Sequence, residues 1–154
     1  MIKMSEELVV MFNDPKTIKV LASCNHTGEI HIEFCDQMYV HSDGYIYLFE
    51  LIENSQQNKN ILSALWFNKE VVASIHTRDG LSYQFTLLPY RAIISGTEFT
   101  MLYSWFQANI GNYDLSTVWV LNPTKIMETT ISKQVEEQIQ KFPMVNHLDR
   151  LLKE

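Results

Sequence analysis

The sequence predicts an α+β fold in which an antiparallel sheet curls into a barrel and helices interrupt the strand order. Three observations carry this. Segments with alternating apolar and polar residues are joined by short glycine-containing turns, at His26-Thr27-Gly28, Ser42-Asp43-Gly44 and Asp79-Gly80. Other segments repeat their apolar residues at helical spacing. The chain has 154 residues, 46% of them apolar and 19% charged, which is enough to bury a core and unlike a disordered chain.

Ser5 caps a helix over residues 6–13, with Glu6 and Glu7 in its first turn, where the helix dipole favours acids. Asn13-Asp14-Pro15 ends it, because a proline disfavours helical backbone in the residue before it. The first strand, residues 17–25, alternates Ile18, Val20, Ala22 and Cys24 against Lys19, Leu21, Ser23 and Asn25. The second, residues 29–35, alternates Ile30, Ile32 and Phe34 against Glu29, His31, Glu33 and Cys35. A three-residue loop with Gly28 in the left-handed conformation puts both apolar sets on one face. Paired residue numbers then sum to 54 or 55, so Cys24 and Cys35 are far out of register for a disulfide.

Tyr45–Ile52 reads as a dense aromatic third strand, and Ser55–Phe67 as a helix with Ile61, Leu62, Leu65 and Trp66 at helical spacing. Asp79-Gly80 joins strands 70–78 and 81–88 in a hairpin. Thr97 caps a helix whose stripe is Phe99, Leu102, Tyr103, Phe106 and Ile110, with Trp105 off the stripe. A last long strand covers 115–130. Ser132 then starts a helix with Val135, Ile139 and Phe142 on one face. Pro143 kinks or restarts it, and Val145, Leu148, Leu151 and Leu152 continue the stripe. The reading is thus one domain over residues 1–154, with six strands and a C-terminal helical extension over about 132–154.

A net charge of −6 argues against nucleic acid as the main partner. The longest apolar runs are five residues, where a membrane helix needs about 20, and the acidic N-terminus does not read as a signal peptide. Two free thiols fit a reducing compartment, so a cytoplasmic protein is expected. None of the five histidines forms a metal-ligand cluster with cysteine, so no metal is expected. P-loop, GxGxxG, GxSxG and HExxH motifs do not occur.

The segment with the most chemistry is Glu53–Asn60. Eight polar residues lie between an aromatic strand and a helix, seven of them side-chain donors, and Lys59 adds a positive charge. Such a segment either caps a helix in solvent or cradles a phosphate at the helix N-terminus. His31, Glu33 and Cys35 share a strand face with Ser23 beside them. His31 and Cys35 are about 13 Å apart along the strand, too far to act as a nucleophile pair. Aromatic residues make up 12% of the chain, which suits a flat ligand or a subunit interface as well as a core.

The run Asn13–Ser23, its following glycine turn and Glu29–Ile32 resemble the opening of pyridoxamine 5'-phosphate oxidase-like split-barrel flavoproteins. Asn58–Ile61 with Phe67–Val71, and Val118–Ile126, resemble two later motifs of that family in the same order. The resemblance implies a six-stranded antiparallel split β-barrel with flanking helices, a homodimer, and FMN at the dimer interface. It implies that Ser55, Asn58, Lys59 and Asn60 hold the FMN phosphate. It also implies that Ser23, His31 and Glu33 approach the ring or ribityl chain, and that Trp105 or Trp119 closes the pocket from the partner subunit. The Arg-rich phosphate motif and the Arg-Leu-x-Pro ending of the vitamin B6 oxidases are missing, so the implied activity is electron transfer or reduction of an unnamed small molecule. A non-enzymatic split barrel that binds haem or another planar ligand is the alternative.

Overall fold

The structure, a computed structural model, describes residues 2–151. Four helices, α1 (Glu6–Asn13), α2 (Gln56–Trp66), α3 (Gly96–Asn109) and α4 (Ile131–Lys141), accompany seven strands. The strands are β1 (Ile18–Cys24), β2 (Ile30–Phe34), β3 (Met38–Val40), β4 (Ile46–Glu50), β5 (Val71–His76), β6 (Ser82–Ile93) and β7 (Thr117–Glu128). All pairings are antiparallel, and the sheet runs in the order β2-β1-β5-β6-β7-β4-β3.

The strand count is seven, not the six expected from sequence. The added strand, β3, has only three residues, too few to show alternation in the sequence. Its pairing with β4 creates it, Met38 opposite Leu48 and Val40 opposite Ile46. The β1–β2 register is as read: Val20 faces Phe34 and Cys24 faces Ile30, with Gly28 left-handed in the turn (φ +88°). Both cysteines are free. β6 runs on to Ile93, past the expected end at residue 88. A register shift between Pro89 and Arg91 accommodates the proline, which has no N–H to give the ladder.

The sheet buries two cores, one on each face. Inside the barrel, α1 and α2 pack Phe12 and Ile61 against Leu21, Met38, Leu48, Phe85, Trp119 and Leu121. On the outer face, α3 packs Phe106 against Tyr47, Phe49, Val118 and Val120. Phe99, Leu102, Tyr103 and Ile110 pack against this second core, as their spacing predicts.

The outer face beyond α3 is bare. The apolar alternation of β1 and β2 points outward, leaving Ile30 71%, Ile32 64% and Phe34 75% exposed. The polar set of the same strands points in, so Lys19 and Ser23 are buried. Lys19 bridges the two edges of the split. Its carbonyl accepts from the Cys35 N–H at 2.9 Å, and its Nζ donates to the Met38 carbonyl at 2.9 Å. The ammonium lies over the Tyr39 ring (4.7 Å to the centroid) and the Phe12 ring (5.5 Å). Burial pushes the Lys19 pKa down to about 8, against the opposing pull of Asp36 and Asp14.

The C-terminal helix differs from its expected extent. α4 begins after Thr130, whose hydroxyl accepts from the Ser82 N–H, so Ser132 is not the cap. It stops at Lys141, before Pro143, and only a short 3-10 turn at Leu148–Arg150 follows. The stripe Val135, Ile139 and Phe142 is exposed throughout. Leu152 lies outside the described residues. No helix among the described residues is long and apolar enough to cross a membrane.

Candidate functional site

α2 starts where β4 leaves the barrel wall. Ser55 is its N-cap, and its Oγ accepts from the Asn58 N–H at 2.9 Å. The buried stripe of α2 is Gln57, Asn60, Ile61 and Ala64, while Leu62 and Trp66 of the expected apolar set are exposed. Polar residues on the inward stripe need partners there. Gln57 finds two: its Nε2 donates to Glu50 Oε2 at 3.1 Å, and its Oε1 accepts from the Cys35 thiol at 3.2 Å. Asn60 donates to Ser23 Oγ at 3.0 Å and accepts from Gln56 Nε2 at 2.8 Å. Burial pushes the Cys35 thiol up to about 12, and the Gln57 contact only partly offsets it, so this is an inert thiol rather than a nucleophile.

Between α2 and the β1–β2 turn runs a polar groove of about 310 Å3, lined by Asn25, His26, Gln56, Lys59, Asn60 and Ser63. The groove follows one side of α2, from Gln56 in its first turn past Lys59 and Asn60 to Ser63. Lys59 is exposed on its rim.

The structure separates the sequence candidates into groups. Lys59 and Asn60 line the groove, and Ser23 holds Asn60 from beneath. His31 and Glu33 lie on the inward face of β2, with His31 Nε2 3.1 Å from Glu33 Oε1. Ser55 is spent on the cap. Asn58 is spent on the scaffold: its Nδ2 donates to the Glu53 carbonyl at 2.8 Å, and its Oδ1 accepts from Trp119 Nε1 at 2.7 Å. Trp119 is therefore inside its own barrel, 2% exposed. Trp105 is on the other face of the sheet, stacked on Phe49 at 5.4 Å between centroids.

Asn25, His26 and Ser63 join the groove from outside the donor-rich segment, and the Glu50–Gln57–Cys35 chain is not visible in the sequence. A usable signal existed in α2. Gln57 and Asn60 sit at i−4 and i−1 from Ile61, so any helix that buries Ile61 and Ala64 carries these amides inward. Among the described residues no group of three or more His, Cys, Asp or Glu could hold a metal ion.

Fold and groove together define an α+β split barrel with a polar, cation-bearing pocket at a helix start. Solved structures share this fold. A putative pyridoxamine 5'-phosphate oxidase from Lactobacillus delbrueckii matches 81% of this chain and 93% of its own, at 14% identity and a TM-score of 0.65. An FMN-binding protein from Syntrophomonas wolfei matches 82% of this chain and 86% of its own, at 13% identity and a TM-score of 0.65. HutZ, the haem storage protein of Vibrio cholerae, matches 82% and 95%, at 11% identity and a TM-score of 0.59. The chain thus has the split-barrel fold of pyridoxamine 5'-phosphate oxidase-like proteins, the fold the sequence motifs implied. No protein-family model and no curated protein sequence matches it.

Proposed function

We propose that this chain is an FMN-binding split-barrel protein that works as a homodimer in electron transfer or small-molecule reduction. The observation that carries the reading is the groove beside the first turns of α2, where a lysine, three amides, a histidine and a serine come together. These donors suit the phosphate and ribityl hydroxyls of FMN. Lys59 would neutralise phosphate charge, and the exposed Gln56 and the Ser63 hydroxyl would hydrogen-bond its oxygens or the sugar chain, while the buried Asn60, held between Ser23 and Gln56, would shape the floor. The bound flavin would supply the redox chemistry, and the chain would supply position and electrostatics.

The homodimer rests on the bare outer face of β1 and β2. Ile18, Ile30, Ile32 and Phe34 form an apolar patch of a kind that single soluble chains seldom leave uncovered. A second copy offers the same patch and closes on it by twofold symmetry. Ile32→Glu is expected to turn a dimer into a monomer, measured by light scattering after size exclusion. A variant that stays dimeric removes this face from the interface.

FMN titration, followed by flavin fluorescence quenching and thermal shift, tests the cofactor. Lys59→Ala is expected to weaken FMN binding about tenfold, since charge-assisted bonds contribute about 1.5–3 kcal/mol. Neither quenching nor stabilisation in the parent chain would sink the flavin reading. The likeness to HutZ favours a second reading, a split barrel that holds haem. Stabilisation by haem and not by FMN would decide for it.

A further inference from the structure

The outer face of the sheet carries a second cleft that shares no lining residue with the groove. It lies between the β3–β4 hairpin and α3, and its volume is about 360 Å3. Its walls are chiefly Tyr39, Tyr47, Phe49, Met101, Leu102 and Trp105. The rings are arranged in faces and edges. Trp105 stacks on Phe49, and Tyr39 meets Trp105 edge-on at 5.3 Å. Trp105 remains 40% exposed, so part of its surface is open for contact. Size and lining match small-molecule sites, which are concave, mostly apolar and carry few polar anchors.

The anchor is at the mouth. His41 stacks on Tyr47, with centroids 4.4 Å apart and planes within 17°. Its Nδ1 lies 3.2 Å from Asp43 Oδ1, and the other Asp43 oxygen accepts from the Tyr47 hydroxyl at 2.9 Å. Burial, with the hydrogen bond to Asp43, pushes the Tyr47 phenol up to about 12, so it stays a donor to the carboxylate. The Asp43 carboxylate beside Nδ1 favours the ring tautomer that carries its proton there, and in that tautomer Nε2 is an acceptor. Nε2 and the Ser42 hydroxyl make no hydrogen bond among the described residues. Asn13 offers nothing more, since its amide donates to the Val40 carbonyl and accepts from the Val40 N–H. The Asp43 carboxylate beside His41 disfavours an anion.

We propose that this cleft binds a small, uncharged planar aromatic molecule with an O–H or N–H donor on its rim, its ring against Trp105 and its donor bonded to His41 Nε2. The carboxylate sets the tautomer, the stack on Tyr47 sets the ring plane, and Trp105 supplies the apolar contact. An aliphatic ligand forgoes the ring stacking, and an aromatic ether leaves the His41 acceptor without a donor.

The test uses the full chain and two compounds, 2-naphthol and 2-methoxynaphthalene, titrated by calorimetry. 2-Naphthol is expected to bind about three- to tenfold more tightly than its methyl ether, the worth of one hydrogen bond at the mouth of the cleft. His41→Ala is expected to abolish that difference. Trp105→Ala is expected to weaken both compounds about tenfold, through lost stacking and area. Lys59→Ala should leave both unchanged while weakening FMN, which keeps this cleft separable from the groove. Equal binding of the two compounds, or naphthol binding untouched by both cleft variants, would overturn the proposal.

Discussion

Trp119→Ala is expected to lower the unfolding free energy by about 3–5 kcal/mol, measured by urea denaturation. Trp119 is among the largest fully enclosed side chains, packed in the core inside the barrel. Its indole N–H also donates to Asn58 Oδ1 at 2.7 Å and so ties the first turn of α2 to β7. Removing the ring opens a cavity and frees the amide at once. Trp119→Phe separates the two effects. It keeps most of the volume and loses the bond, and about 1–2 kcal/mol is expected. An alanine variant as stable as the parent would mean that the core inside the barrel is not packed around this ring.

The second large effect is alkaline. Lys19 is buried, with a pKa of about 8 in the fold against 10.5 for an ordinary lysine. Below pH 8 the ammonium is charged whether the chain is folded or not, so the full cost of its burial is present. Between about 8 and 10.5 the folded chain has released the proton while the unfolded chain still holds it, so stability rises with pH. Above 10.5 the amine is neutral in both states and the cost is gone. The gain over that window is about 3 kcal/mol. Lys19→Met removes it. The stability difference between parent and Lys19→Met, measured by denaturation at pH 7 and at pH 10, is therefore expected to move in the parent's favour by about 2–3 kcal/mol. Groups that do not touch Lys19 are the same in both chains and drop out of this difference. A constant difference would show that Lys19 is solvated in the folded chain. At neutral pH the methionine variant is expected to be as stable as the parent or more so, because an apolar group of similar size replaces a buried charge.

The polar groove was partly legible from sequence, and its legibility has a local cause. Caps, first-turn charges and donor-rich runs act over three or four residues, so Ser55 and Lys59 stand out in the chain itself. The partners of the other residues do not. Asn60 meets Ser23 across 37 positions, and Asn58 meets Trp119 across 61. Whether an amide faces a ligand or holds the scaffold depends on those distant contacts. Asn58 and Asn60 look alike in the sequence, yet one fastens α2 to the barrel wall and the other lines the groove.

The sequence by itself determined the order of the four helices and of six of the seven strands, the turn at Gly28 and the β1–β2 register. It also determined which residues of those strands share a face. Alternation states that Ile30, Ile32 and Phe34 lie together, because the strand period is two. It does not state which face meets the core. Only the tertiary structure decided that the apolar face of β1 and β2 turns outward, while Lys19 and Ser23 turn in to meet Met38 and Asn60. The choice belongs to what packs inside the barrel. α2 brings Gln57 and Asn60 to the inner layer, and buried amides require polar partners, so the polar strand face follows them in. β3 was decided by tertiary contact too, since three residues become a strand only when β4 pairs with them.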